Sequence, residues 1–160
     1  MHLHPANGED WDVLARLWQL FSHDLSSFRG NVPSRAGVFW DGQERWRTYV
    51  DDPDRCGYLV VDGDAAVGFA LLRGLGEGPI VLASFFLVRA VRRQGRGRRI
   101  VADLRERHPG AWEVAFQEQN GPAARFWRAT WAELFDEVAE ELRPVPDRPE
   151  LEQDTWLIGR

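Results

Sequence analysis

Lysine is missing altogether: all 20 basic residues of this 160-residue chain are arginines. Genome base composition explains that pattern without any chemical demand. A single cysteine, Cys56, excludes an internal disulfide and a cysteine-rich zinc site. Its place leading into a strand reads as a small buried hydrophobe. No apolar run approaches the roughly 20 residues that a membrane-spanning helix needs. The opening MHLHPANGEDW lacks the basic-then-apolar order of a secretory leader, so a cytoplasmic protein off the membrane is expected. The net charge of −5 argues against a general nucleic-acid binder. His2 and His4 share one face of a first strand, but no further ligands cluster with them, so no metal site is expected.

What is present is an apolar fraction of 44%, with eight tryptophans and nine phenylalanines to fill one core. MHLHPAN reads as a strand. Trp11, Leu14, Trp18, Phe21 and Leu25 then recur at helical spacing. SSFRGNVPSRAG, residues 26–37, reads as a loop, and 40–50 as a second helix ended by DDPD. Asp62-Gly63 between two apolar runs marks a hairpin turn, which needs a positive φ. IVLASFFLV, 80–88, is apolar on both faces, as a central strand should be. A helix from 95, a strand over 111–117 and a helix opened by Asn120 and Pro122 follow. Segments 134–142 and 154–159 read as closing strands, with a proline-rich loop over 143–153. The expected fold is a single α+β domain spanning 1–160.

The stretch VRRQGRGRRI, 91–100, places five arginines and two glycines where the apolar strand gives way to a helix. Gly95 and Gly97 permit close backbone approach, and a helix N-terminus presents unsatisfied N–H groups there. Together they describe a cradle for a pyrophosphate. The alternative is a solvated surface with a simple turn. A dinucleotide-binding Gly-x-Gly-x-x-Gly is not satisfied, because Ile100 stands three residues past Gly97, and a P-loop lacks its Gly-Lys-Ser/Thr.

Arg92-x-x-Gly95-x-Gly97 after an apolar strand resembles the acyl-CoA-binding signature of the GNAT superfamily of N-acetyltransferases. NGPAARFWR, 120–128, resembles that family's second signature, and the resemblance covers about residues 1–140. It implies a mixed, mainly antiparallel twisted sheet, flanked by about four helices, with the fourth and fifth strands splayed around a pantetheine arm. It further implies acetyl-CoA as cosubstrate. Main-chain groups near Phe86, Leu87 and Val88 would meet the acetyl and pantetheine amides, with an oxyanion donor at Leu87 or Val88. Arg92, Arg93, Gln94, Gly95, Arg96, Gly97 and Arg98 would surround the pyrophosphate. Asn120 and Phe126 would line the far side of the arm, though Phe126 reads equally as core packing.

For proton transfer, the family's usual tyrosine acid is replaced by Trp127, which has no proton of suitable acidity. Its indole N–H can still donate to the sulfur; otherwise the thiolate leaves unaided. Glu118, His23 and Asp24 are the candidate bases, each with a plainer reading as a loop acid or a helix end. Trp40 and Trp46 are candidate walls of the acceptor site. The implied reaction is acetyl transfer from acetyl-CoA to a primary amine of a small molecule, with a homodimer left open. The alternatives are a protein N-terminal or lysine acetyltransferase and a silent acyl-CoA sensor.

Overall fold

Residues 57–60 and 67–72 are buried without a break, and Gly63 (φ 59°) turns the chain between them as a hairpin. The computed structural model describes residues 1–39, 46–145 and 153–160. In chain order these form β1 (His2–Pro5), α1 (Asp10–Arg29), a 3₁₀ turn (Trp46–Tyr49), β2 (Arg55–Asp62), β3 (Ala65–Arg73) and β4 (Ile80–Leu87). A second 3₁₀ turn (Arg89–Val91), α2 (Arg96–Arg107), β5 (Trp112–Phe116), α3 (Gly121–Leu134), β6 (Val138–Pro144) and β7 (Gln153–Gly159) complete the fold. The strands make one sheet of order β1-β2-β3-β4-β5-β7-β6. Every neighbouring pair is antiparallel except β4 and β5, which run parallel. This is the mixed, mainly antiparallel α+β architecture expected.

Three details differ from the sequence reading. Residues 26–29, expected in a loop, continue α1; the Ser26 and Ser27 hydroxyls are accommodated in the helix by donating to the carbonyls of His23 and Asp24. The helix ends where Gly30 turns left-handed and its N–H reaches the Ser26 carbonyl at 2.8 Å. Of the expected second helix, 46–49 are a single 3₁₀ turn. Residues 40–45 lie outside the described residues, Trp40 among them, and only the main chain of Trp46 is described. The described residues therefore hold three α-helices where about four were expected. Finally, β6 continues through Pro144 and β7 begins at Gln153, so the expected 143–153 loop is trimmed at both ends; 146–152 lie outside the described residues.

The sheet divides two cores. On one face α2 and α3 bury Ile100, Leu104 and Trp131 against Val60, Leu72, Leu82, Trp112 and Val114. On the other, α1 buries Trp11, Leu14, Leu17 and Trp18 against Leu59, Phe69, Leu71 and Phe86. Alternation along β2, β3 and β4 feeds both cores, which is why these strands read as continuous apolar runs. Fully buried side chains such as Leu14 and Phe69 contribute about 1.5–3 kcal/mol each. Cys56 is half-buried, and burial pushes its thiol up to about 11, which keeps it protonated and unreactive.

β3 and β4 approach so closely at Gly68 that an added Cβ would lie 2.1 Å from the Phe86 carbonyl oxygen. We predict that Gly68→Ala forces the two strands apart and costs about 3 kcal/mol or more, read as a lowered denaturation midpoint in urea. Near the other end of α2, the Tyr58 hydroxyl and His108 Nε2 share a 2.8 Å hydrogen bond. Burial, then the nearby Arg107 charge, lowers the His108 pKa from 6.5. The unfolded chain therefore protonates His108 first, so its contribution to stability is complete above pH 6.5 and is lost as pH falls through the lower folded value. His108→Gln should flatten the dependence of Tm on pH just below 6.5 relative to the unaltered protein.

Candidate active site

The ladder between β4 and β5 is short. Ile80, Val81 and Leu82 pair with Trp112, Glu113 and Val114, and no further pair follows. β4 runs on to Leu87 beside β3 alone, while Ala115 and Phe116 pair only with β7. The parting begins at a β-bulge. Leu71 opposes Ser84 and Leu72 opposes Leu82, which leaves Ala83 without a partner. An inserted residue bends the strand and raises its local twist, and so swings the distal half of β4 away from β5.

The antiparallel register with β3 decides which main-chain groups face this gap. The Val88 N–H donates to the Val67 carbonyl at 2.8 Å. Alternation then aims the N–H and C=O of Phe86 at β3, and those of Phe85 and Leu87 at the gap. The Leu87 carbonyl accepts from Arg92 Nε at 2.7 Å, and the Val88 carbonyl accepts from the Val91 N–H at 3.1 Å. Within 86–88 the Leu87 N–H is thus the amide left without a partner among the described residues.

Beyond Leu87 the chain reaches α2 through strained backbone. Arg93 (φ 80°), Gln94 (φ 58°) and Gly95 (φ 71°) are successive left-handed residues. A left-handed conformation costs a non-glycine residue about 1–2 kcal/mol, and strain of this kind persists where a site demands it. The Arg99 N–H reaches the Gly95 carbonyl at 3.1 Å, while the first-turn amides of Gly97 and Arg98 have no partner among the described residues. A Cβ added to Gly97 would sit 3.3 Å from the Phe126 ring and 3.5 Å from Leu87 Cδ1. The positive end of α2 is therefore set against the end of β4 and the side of α3, at the mouth of the gap.

The arginine side chains largely have their own partners. Arg92 pairs with Asp24, Arg98 with Glu133, and Arg99 donates to the Gln94 carbonyl at 3.3 Å. Arg96 stands 3.8 Å from Asp62, and Arg93 is exposed. The groups left unengaged at the start of α2 are consequently main-chain amides, with positive side chains around them. Asn120 caps α3, its Oδ1 accepting from the Ala123 N–H at 3.3 Å. Phe126 stacks on Phe85 (6.2 Å, 8° between planes) and meets Trp127 edge-on at 4.7 Å. Trp127 is only 7% exposed, wedged among Phe85, Phe126 and Trp131. These aromatics close the gap on the α2–α3 side.

The other face is crossed by the end of α1. Asp24 receives Arg89 Nη2 at 2.9 Å and Arg92 Nη2, on the β4 side. Arg29 Nε donates to Gln117 Oε1 at 3.2 Å, on the β5 side. Burial favours the neutral Asp24 acid, but the hydrogen bonds from Arg92 and Arg89 prevail and hold its pKa below the usual value. His23 and Asp24 do not work as a pair: the exposed His23 ring meets Phe39 edge-on at 6.2 Å. Glu118 bridges to Arg128 and accepts from Thr155 at 2.8 Å, and these hydrogen bonds lower its pKa. Nearby, Arg143 grips the buried Glu113 with two hydrogen bonds (2.8 and 3.1 Å) and covers the Trp156 ring at 4.7 Å.

Sequence reasoning missed the Asp24–Arg92 and Arg29–Gln117 contacts and the Ala83 bulge. The two contacts join residues 68 and 88 positions apart, and no local pattern signals them. An added Cβ at Gly95 meets nothing within 4 Å, so Gly95→Ala tests left-handed strain alone. We expect it to cost about 1 kcal/mol in a urea melt.

A family profile described as "Acetyltransferase (GNAT) family" matches residues 14–131, most of the chain. No curated protein sequence matches. Among solved structures, a protein of Bacteroides thetaiotaomicron assigned to the GNAT family superposes with a TM-score of 0.69 at 16% identity, over 99% of this chain and 86% of that one. An aminoglycoside 6'-N-acetyltransferase complexed with coenzyme A gives 0.66 at 14% identity, over 99% and 96%. An acetyltransferase from Thermus thermophilus gives 0.62 at 18% identity, over 99% and 96%. At these identities the structural likeness speaks for the fold. With the family match, the parted strands and the amide cradle in place, the chain belongs to the GNAT family and is an acetyl-CoA-dependent N-acetyltransferase.

Proposed function

We propose that the protein transfers an acetyl group from acetyl-CoA to a primary amine of a small molecule by direct attack. The observation that carries this reading is the unpartnered Leu87 N–H, facing the β4–β5 gap beside the amide-rich start of α2. The amides of Gly95, Gly97 and Arg98 hold the pyrophosphate, with Arg93 and Arg96 at its rim. Asn120 and Phe126 border the arm from the α3 side. The Leu87 N–H meets the negative charge that develops on the thioester oxygen as the amine attacks.

The remaining chemistry is proton transfer. A thiol pKa of about 8.5 makes the thiolate a tolerable leaving group, so Trp127 serves as a wall and not as an acid. Glu118 is occupied by Arg128 and Thr155, and its low proton affinity makes it a poor base. Asp24 is likewise occupied. His23 is exposed, in no ion pair among the described residues, and we assign to it the uptake of the ammonium proton. The crossing of the gap by α1, fastened by Asp24 on one side and Arg29 on the other, favours a compact acceptor over a peptide laid along the sheet. The aminoglycoside enzyme with a similar fold is a precedent for such an acceptor.

Thiol release from acetyl-CoA, measured against polyamines, aminoglycosides, amino-acid amines and a lysine-bearing peptide, tests the reaction. Turnover with a small amine is expected; turnover with the peptide alone would overturn the small-acceptor reading. Arg93→Glu with Arg96→Glu should weaken acetyl-CoA binding by about tenfold or more, since two rim charges reverse; an unchanged Kd counts against the cradle. Trp127→Phe should leave kcat nearly unaltered. His23→Gln should lower kcat by about 100-fold with no change in acetyl-CoA affinity, and an undiminished rate removes His23 from the mechanism.

A further inference from the structure

We propose that Asp24 is a positioning residue for acetyl transfer, holding the Leu87 peptide in place through the Arg92 guanidinium. The inference rests on the reading of Leu87 N–H as the oxyanion donor. Arg92 is fixed from three directions. Its Nε donates to the Leu87 carbonyl at 2.7 Å, its Nη2 to Asp24 Oδ2, and its guanidinium carbon lies 5.4 Å from the Phe86 ring centroid. The peptide that follows Leu87 is thus gripped at both polar atoms, its carbonyl by Arg92 and its Val88 N–H by Val67. Gripping that peptide fixes ψ of Leu87, while pairing of Phe86 with β3 holds the preceding peptide that carries the Leu87 N–H; the two together leave the N–H little freedom to tilt within the gap.

Asp24 supplies the part of this arrangement that comes from outside the strand. It reaches across from α1 and takes Arg92 on Oδ2 while Arg89 occupies Oδ1. Without it, Arg92 would be a partly exposed cation five residues from an anion cradle, free to turn toward the coenzyme phosphates. Leu87 would then lose the donor on its carbonyl. Orientation of an oxyanion donor matters over fractions of an ångström, so the loss falls on the polarisation of the thioester and not on overall affinity.

Isotope-edited infrared spectroscopy of acetyl-CoA carrying a ¹³C carbonyl reads this without an acceptor amine. In the unaltered protein the bound carbonyl band should move to lower wavenumber than the free band. Asp24→Ala should lose half or more of that shift, Asp24→Glu should recover most of it, and the acetyl-CoA Kd, from tryptophan fluorescence, should stay within about threefold. Arg92→Ala should match Asp24→Ala, and the double variant should lose no more than either, because the two act in series. If Asp24→Ala does not fold, Asp24→Asn carries the same test. A full wild-type shift in the Asp24 variants, or additive losses in the double variant, overturns the positioning role alone. An unshifted band in the unaltered protein overturns the Leu87 reading and the Asp24 role with it.

Discussion

Everything functional in this fold depends on where a three-pair ladder stops. Leu82 faces Val114 in the last β4–β5 pair; one residue later Ala83 has no partner across β3, and the strand swings away. A sheet interior normally uses every backbone N–H and C=O, and leaving them unpaired costs about as much as a lost hydrogen bond each. The parted strands leave main-chain groups of Phe85 and Leu87 directed at the opening. An extended, amide-rich ligand bound there as proposed would supply the hydrogen bonds that the missing strand partner does not.

The second constraint is strain at the end of the same strand. Three successive left-handed residues, two of them not glycine, lead into α2. A relaxed turn would have spared that cost. The strained path sets the first turn of α2 against Leu87 and Phe126, and so brings the helix's positive end to the mouth of the gap. Arginine side chains around it are mostly engaged with Asp24, Glu133 and the Gln94 carbonyl. The groups left unengaged at the start of α2 are therefore main-chain amides, and the side chains set the surrounding potential.

Around that opening the two sheet faces are unlike. On the α2–α3 side a run of aromatics, Phe85, Phe126, Trp127 and Trp131, fills the space. Trp127 is buried among them. On the α1 side the covering is polar and held by long-range contacts, Asp24 to Arg89 and Arg92, and Arg29 to Gln117. Such contacts are individually worth little at a surface, but each of these ends on a group adjoining the gap. Their value lies in geometry. The exposed His23 sits on the same helix, next to the residue that ties it to β4.

By itself the amino-acid sequence determined the order of the strands, the hairpin at Asp62-Gly63, the strand–turn–helix at 80–100, the Asn120 cap and the family. Each of these is a local pattern, set by side-chain period, turn chemistry or a helix end, and is legible over ten or twenty residues. Tertiary structure alone decided the rest. Helix α1 outran its expected end and stops only at the left-handed Gly30, with Ser26 and Ser27 accommodated by bonding back to the helix. Leu87 and not Val88 faces the gap because the register with β3 sets the parity of β4. Asp24 is a partner of Arg92 and Glu118 of Arg128, because charges distant in the chain meet only after packing has placed their elements. Contacts made across the folded molecule leave no periodic trace along the chain, and so the strand–turn–helix at 80–100 was readable in advance while the side-chain partners around it were not.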